Sequence, residues 1–139
     1  MRPLILAVVA ATSVAFPAIA DESLRAAVQD YMGFATYEAG ILLPQQLDET
    51  VFRSSTIIDT RDADQYATAH IPGALNIEWR EIPSRLEELP ETGLVILYCN
   101  TGTLSSQATF AARLLGRENV VVLQGGITGW TAEAAWKPE

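Results

Sequence analysis

Hydrophobic positions along the chain fall into one continuous run at the amino end, short β-branched clusters further on, and helical spacings between those clusters. The run is Leu4 to Phe16, preceded by Arg2 and followed by Ala18-Ile19-Ala20. A positive start, an apolar middle and small residues for cleavage predict a secretory signal over residues 1–20, with the mature chain opening at Asp21. An uncleaved anchor is the alternative, but about thirteen apolar residues fall short of the roughly twenty that a bilayer-spanning helix needs. No later segment is long and apolar enough to span, so stable membrane insertion after cleavage is not expected, and a periplasmic or secreted location is.

From Asp21 to about Gly40, Leu24, Ala27, Val28, Tyr31 and Met32 recur at helical spacing behind a start signal in Asp21 to Ser23, predicting an N-terminal helix. Pro44 to Phe52 resumes a helical pattern, with Leu47, Val51 and Phe52 on one face. Thr56-Ile57-Ile58, ending in Asp59, has the form of a buried strand that feeds a polar loop. A short helix over Asp62 to Ala69, a break at Ile71-Pro72-Gly73, an extended piece over Ala74 to Ile77 and a helix over Trp79 to Leu89 follow.

Leu94 to Tyr98 is the clearest strand, and it runs directly into Cys99. A helix over Ser105 to Leu115 is stopped by Gly116. Val120 to Leu123 is the next strand, Gly125-Gly126 turns the chain, and Ile127 to Trp136 forms a last helix. Strands alternating with helices through short connections predict an α/β domain with a mostly parallel central sheet and helices on both faces. Ligands bind beyond the carboxyl ends of such strands, where Asp59, Cys99 and Gln124 fall.

Charge narrows the partners. The 139 residues hold 17 acids and 9 bases, a net charge of −8. Arg2 is the one charged residue among the first twenty, so the remainder is more acidic by one unit. A field of that sign repels nucleic acid and anionic membrane surfaces, and an anionic substrate would need a local positive pocket. What remains after the signal has the length of one domain, on the usual scale of roughly 100–200 residues.

Cys99 is the single cysteine. Export leads to compartments where disulfides form, yet one cysteine makes no internal bridge, which leaves a chemical use or an inert buried thiol. The segment Cys99-Asn100-Thr101-Gly102-Thr103-Leu104-Ser105 starts at a strand's end and closes onto a helix N-terminus. Successive N–H groups in such a loop form a nest for an anion, and the helix adds partial positive charge. Environments of this kind lower a thiol pKa from about 8.5 to roughly 3.5–7.5, so no neighbouring base is required. The only histidine is His70, and nothing in the sequence pairs it with Cys99.

A strand, Cys, Gly at the loop's fourth position and Ser opening a helix resemble the active-site loop of rhodanese-type sulfurtransferases. Asp59-Thr60-Arg61, with Tyr66, His70-Ile71-Pro72-Gly73-Ala74 and Asn76-Ile77, is similar to that family's upstream signature. Leu123-Gln124-Gly125-Gly126 with Gly129-Trp130 resembles its C-terminal one. The short exported form looks most like the bacterial periplasmic, phage-shock type. The resemblance implies a rhodanese-like domain over residues 41–137, preceded by the helical extension 21–40. It also implies that Cys99 takes the outer sulfur of thiosulfate or another sulfane donor as a persulfide and passes it to cyanide or a thiol acceptor, a protein thiol included.

Under that resemblance, the N–H groups from Asn100 to Ser105 hold the persulfide and donor charge, the Ser105 hydroxyl caps its helix or bonds to sulfur, and no metal or organic cofactor is needed. One departure stands out: Thr103 and Leu104 are neutral where many family members carry arginine or lysine. That weakens an oxyanion donor more than a neutral persulfide. Arg61 or Arg80 are the candidates to compensate.

Each candidate also has a plainer reading. Asp59 and Arg61 either tune the loop or form an internal ion pair. His70 either acts as a base or orients the Ile-Pro-Gly turn. Trp130 and Trp136 suit core or rim packing, Gly125-Gly126 a turn that keeps side chains off the loop, and Glu87, Glu88 and Glu91 a solvated surface. Two rival functions remain: a cysteine phosphatase or arsenate reductase, which in the related phosphatases adds an arginine missing from this loop, and a binding module without catalysis.

Overall fold

The computed structural model describes residues 22–139, so the signal segment 1–20 and the start at Asp21 lie outside the described residues. Five parallel strands, β1 (Ile41–Leu42), β2 (Thr56–Asp59), β3 (Leu75–Asn76), β4 (Val95–Tyr98) and β5 (Val120–Leu123), form one sheet in the order β1-β5-β4-β2-β3. Between and around them run α1 (Glu22–Phe34), α2 (Glu49–Ser54), α3 (Ala63–Thr68), α4 (Thr103–Leu114) and α5 (Gly126–Glu133).

β4 is buried at every position, and its alternating side chains divide the core in two. Val95 and Leu97 join Ile58, Ala108, Ala112 and Val120 under α4 and the turn that carries Ile82. Ile96 and Tyr98 point the other way, to Leu47, Ile57, Ile71 and Leu123, with Val51 and Phe52 of α2 and Ile127 and Trp130 of α5 packed against them. Helices on both faces of an all-parallel sheet are the architecture that the alternation predicts.

Several boundaries differ from the sequence reading for local reasons. Pro44 to Phe52 is two pieces: a 3-10 turn at Pro44–Gln46, then α2, which starts late because the Asp48 carboxylate accepts the Val51 N–H and caps it. Trp79 to Leu89 becomes 3-10 structure over Ile82–Glu88, interrupted by a non-helical residue at Arg85. The last helix ends at Glu133, and Trp136 beyond it lies edge-on to Phe52 at 5.1 Å. α1 stops at Phe34, contributes no buried residue, and is held through Tyr31, whose ring meets Phe110 edge-on and whose hydroxyl accepts from Arg113 Nε at 2.9 Å. None of the described helices is long and apolar enough to cross a membrane.

Register decides where a site can form. Asp59 sits opposite both Tyr98 on β4 and Asn76 on β3, so the loops leaving these three strands emerge side by side. From β2 the chain turns toward β3, and from the adjacent β4 it turns toward β5. The two connections diverge and leave a crevice between them at the carboxyl ends of β2 and β4.

Candidate active site

Cys99 is the first residue after β4 and stands at the bottom of that crevice, 3% exposed. Its Sγ accepts the Gly102 N–H at 3.2 Å. The Ser105 hydroxyl, fully buried, lies 3.5 Å from Sγ and 3.2 Å from the Gly102 carbonyl, so its one proton is divided between the two. Ser105 does not open the helix: α4 begins at Thr103, because the Gly102 carbonyl already accepts the Ser106 N–H at 2.9 Å. That shift moves the hydroxyl inside the first turn and aims it at sulfur.

The Gly125-Gly126 turn explains why amides face the thiol. The carbonyls of Cys99 and Asn100 accept the Ile127 and Thr128 N–H groups at the start of α5, at 2.9 and 3.1 Å. No described peptide bond is cis, and across a trans peptide the N–H opposes the carbonyl. With these two carbonyls tied to α5, the N–H groups of Asn100 and Thr101 are turned away from it, and that of Thr101 is among the groups that act on the sulfur. A Cβ on Gly126 would lie 2.3 Å from the Cys99 carbonyl oxygen, so only glycine permits the approach.

Two effects compete at the thiol. Burial pushes it up, while the Ser105 hydroxyl and the N–H groups of Ser105, Thr101 and Leu104 pull it down and prevail, so Cys99 sits below the ordinary thiol value. The Ser105 hydroxyl first, and the loop amides with it, are the reason that a sulfur this buried is still acidic.

Behind the loop lies a buried polar network. The Asp59 carboxylate, fully buried, accepts Arg61 Nε and Nη2 at 2.9 and 2.5 Å, the Arg61 N–H at 3.0 Å and the Tyr98 hydroxyl at 2.7 Å. Arg61 also donates to the Ala69 carbonyl and to Asn100 Oδ1, and the Asp59 carboxylate holds its guanidinium above the usual value. Arg61 is thus a brace from β2 to the cysteine loop, and the ion-pair reading of Asp59 and Arg61 describes their geometry. Burial pushes the Tyr98 phenol well above its usual value and keeps it a donor. This tyrosine escapes the sequence reading, although a phenol ending an aliphatic strand just before the cysteine was its signal.

His70 is not brought to the sulfur. It is exposed, stacks on Tyr66 at 4.0 Å and places Nδ1 2.8 Å from the Tyr66 carbonyl oxygen in the preceding helix. Gln124, also expected at the strand ends, is absent from the lining of the sulfur's cavity. That cavity, about 250 Å³, is walled by Thr60, Arg61, Asp62 and Gln65 after β2, Glu78, Trp79 and Arg80 after β3, and the cysteine loop. Asp62, Gln65, Glu78 and Trp79 are missed by the sequence reading: Glu78 and Trp79 reach the cavity only through the β2–β3 register, while Asp62 and Gln65 lie on the same loop and helix as Arg61 and were within reach of it. A larger depression of about 950 Å³ between α2 and the carboxyl terminus lies by the amino end of β2, away from the sulfur.

A family model described as a rhodanese-like domain matches residues 43–133. The chain is 34% identical over 88 residues to a sulfurtransferase of Allochromatium vinosum, covering 63% of this chain and 80% of that protein. It is 31% identical over 80 residues to YrkF of Bacillus subtilis, 58% of this chain but only 43% of that longer protein. Among solved structures, the rhodanese-like domain of an Anabaena protein superposes with a TM-score of 0.60 at 27% identity, covering 67% of this chain and 74% of that one.

Proposed function

The chain belongs to the rhodanese-like family, and from that premise we propose that it is a sulfurtransferase that works through a persulfide on Cys99. The observation that carries the reading is one sulfur on a cavity floor, held below the ordinary thiol pKa by loop amides and the Ser105 hydroxyl. The relative from Allochromatium vinosum, named a sulfurtransferase, supports it.

The transfer needs no external oxidant or reductant. The Cys99 thiolate attacks the outer sulfur of a sulfane donor; the Sγ–S bond forms as the donor's own S–S bond breaks, and sulfite or an organic thiolate leaves with the electron pair. Cyanide or an acceptor thiolate then attacks the terminal sulfur and returns Cys99 as thiolate. The loop amides receive the negative charge that stays on sulfur throughout. The apolar segment Leu4 to Phe16 and the small residues after it support the further proposal that the protein acts after export.

The test is mass spectrometry of the protein after exposure to thiosulfate or to an organic persulfide. The expected result is addition of one sulfur atom to the parent and none to Cys99→Ser, with release of thiocyanate on adding cyanide. If no donor adds sulfur, the protein is a binding module; Cys99-dependent release of phosphate from an aryl phosphate instead would establish the phosphatase reading.

A further inference from the structure

We propose that Glu78 sets donor preference, making the cavity disfavour doubly charged donors such as thiosulfate and accept an uncharged sulfane sulfur at the end of an organic persulfide. The inference rests on the sulfurtransferase reading and names the substrate class of the same site.

The cavity wall carries four charged side chains. Its cations are Arg61 and Arg80, and its acids are Asp62 and Glu78. Arg61 is already matched by Asp59 at 2.5 Å behind it. Arg80 is matched by Glu78, with Nε 3.0 Å from Oε1. Asp62 has neutral partners only, accepting the Gln65 N–H and side-chain amide while it caps α3. The lining itself balances, two cations against two acids, and the buried Asp59 carboxylate behind it leaves the region with a surplus of one negative charge. Thr103 and Leu104, at the mouth, add no cation.

The Glu78–Arg80 pair is also lopsided. The Arg80 side chain is 73% exposed and the Glu78 side chain 22%. Water screens the cation more than the anion, so the field that reaches the cavity from this pair is negative. The Arg80 side chain holds the Glu78 carboxyl below its usual value and so keeps it charged, and Asp62 lies on the same cavity wall.

A thiosulfate dianion would bring two charges toward this wall and release a sulfite dianion past it. An organic persulfide reacts in its neutral protonated form: Sγ bonds to the terminal sulfur, the donor S–S bond breaks, and one thiolate leaves. The half-buried Trp79 and the Leu104 side chain offer its organic part an apolar contact.

The experiment compares kcat/KM for thiosulfate and for cysteine persulfide, with cyanide as acceptor, in the parent, in Glu78→Gln and in Glu87→Gln. Glutamine at 78 retains an oxygen for the Arg80 N–H and removes only charge. Glu87 is exposed and outside the cavity, so its variant makes the same change in net charge elsewhere. Removing one charge within about 8 Å of a dianion, in a medium between protein surface and water, corresponds to roughly tenfold. The expected result is a parent that prefers the persulfide and a thiosulfate-to-persulfide ratio that rises about tenfold in Glu78→Gln and less than about twofold in Glu87→Gln. An unchanged ratio in Glu78→Gln, an equal rise in Glu87→Gln, or a parent that prefers thiosulfate overturns the inference and leaves the sulfurtransferase reading standing. Failure of both donors to load Cys99 in the parent overturns both.

Discussion

Gly126→Ala puts the loop geometry to its most direct test. Gly126 has φ +58, and an added Cβ would meet the Cys99 carbonyl oxygen at 2.3 Å and the Asn100 carbonyl carbon and oxygen at 2.7 Å. None of these is the end of a flexible side chain, so the turn and the loop must separate. A left-handed residue with a Cβ costs about 1–2 kcal/mol. Parting the two segments also weakens the Ile127 and Thr128 hydrogen bonds to those carbonyls, at about 1 kcal/mol each. The expected loss is about 3–4 kcal/mol, on the order of 10 °C in Tm for a domain of this size.

Gly73→Ala supplies the control, since Gly73 has φ +81 with nothing within 4 Å of the added carbon. It carries the conformational strain without the collision and should lose only about 1–2 kcal/mol. Urea unfolding with m unchanged gives both values. The pH dependence of iodoacetamide alkylation gives a second readout: Gly126→Ala should move the Cys99 midpoint upward, because the amides are no longer held toward sulfur, and Gly73→Ala should leave it in place. Equal destabilisation by the two variants, or an unmoved alkylation midpoint in Gly126→Ala, would refute the claim that the turn aims the loop.

Two further substitutions separate the thiol's support from the fold's. Ser105→Ala removes a donor to the thiolate, so the Cys99 pKa should rise; sulfur loading near neutral pH should fall about three- to tenfold and recover in alkaline solution, whereas an equal loss at all pH values would contradict a role at sulfur. Asp59→Asn leaves the Arg61 guanidinium buried without its counterion and should lower unfolding free energy by about 3–5 kcal/mol in urea titrations; a loss under about 1 kcal/mol would show that the network is dispensable.

What could be read in the sequence was whatever local periodicity or a local motif encodes. Val95 to Tyr98 alternate between two hydrophobic clusters, and that signal is visible in the chain alone. The Cys99 loop was legible for the same reason, because its amides, its glycine and its serine are consecutive. An element that depends on a competing side-chain bond was read less well: Asp48 outcompetes a continuous helix from Pro44. His70 shares the upstream signature with Asp59 and Arg61, but its ring finds Tyr66 four residues back. Glu78 and Trp79 reach the site only through the register of β3 against β2, a long-range property that no local pattern carries.

The arrangement divides one task between separate parts of the chain. A thiol sunk among hydrocarbon side chains is held protonated, and a thiol in water gains nothing from its surroundings; only a buried thiol facing fixed dipoles is both shielded and acidic. The dipoles here are the Ser105 hydroxyl and the loop's own amides, the amides fixed because α5 binds the carbonyls on the loop's other side. The side chains of Thr101, Thr103 and Leu104 are therefore not needed to ionise the sulfur, and they are exposed at the mouth. Donor preference can then be set by the mouth and by the loops after β2 and β3, with the nucleophile left untouched. For that reason, charge changes at Glu78 and geometry changes at Gly126 should act on different observables, the first on the ratio between donors and the second on the acidity of Cys99 whatever the donor.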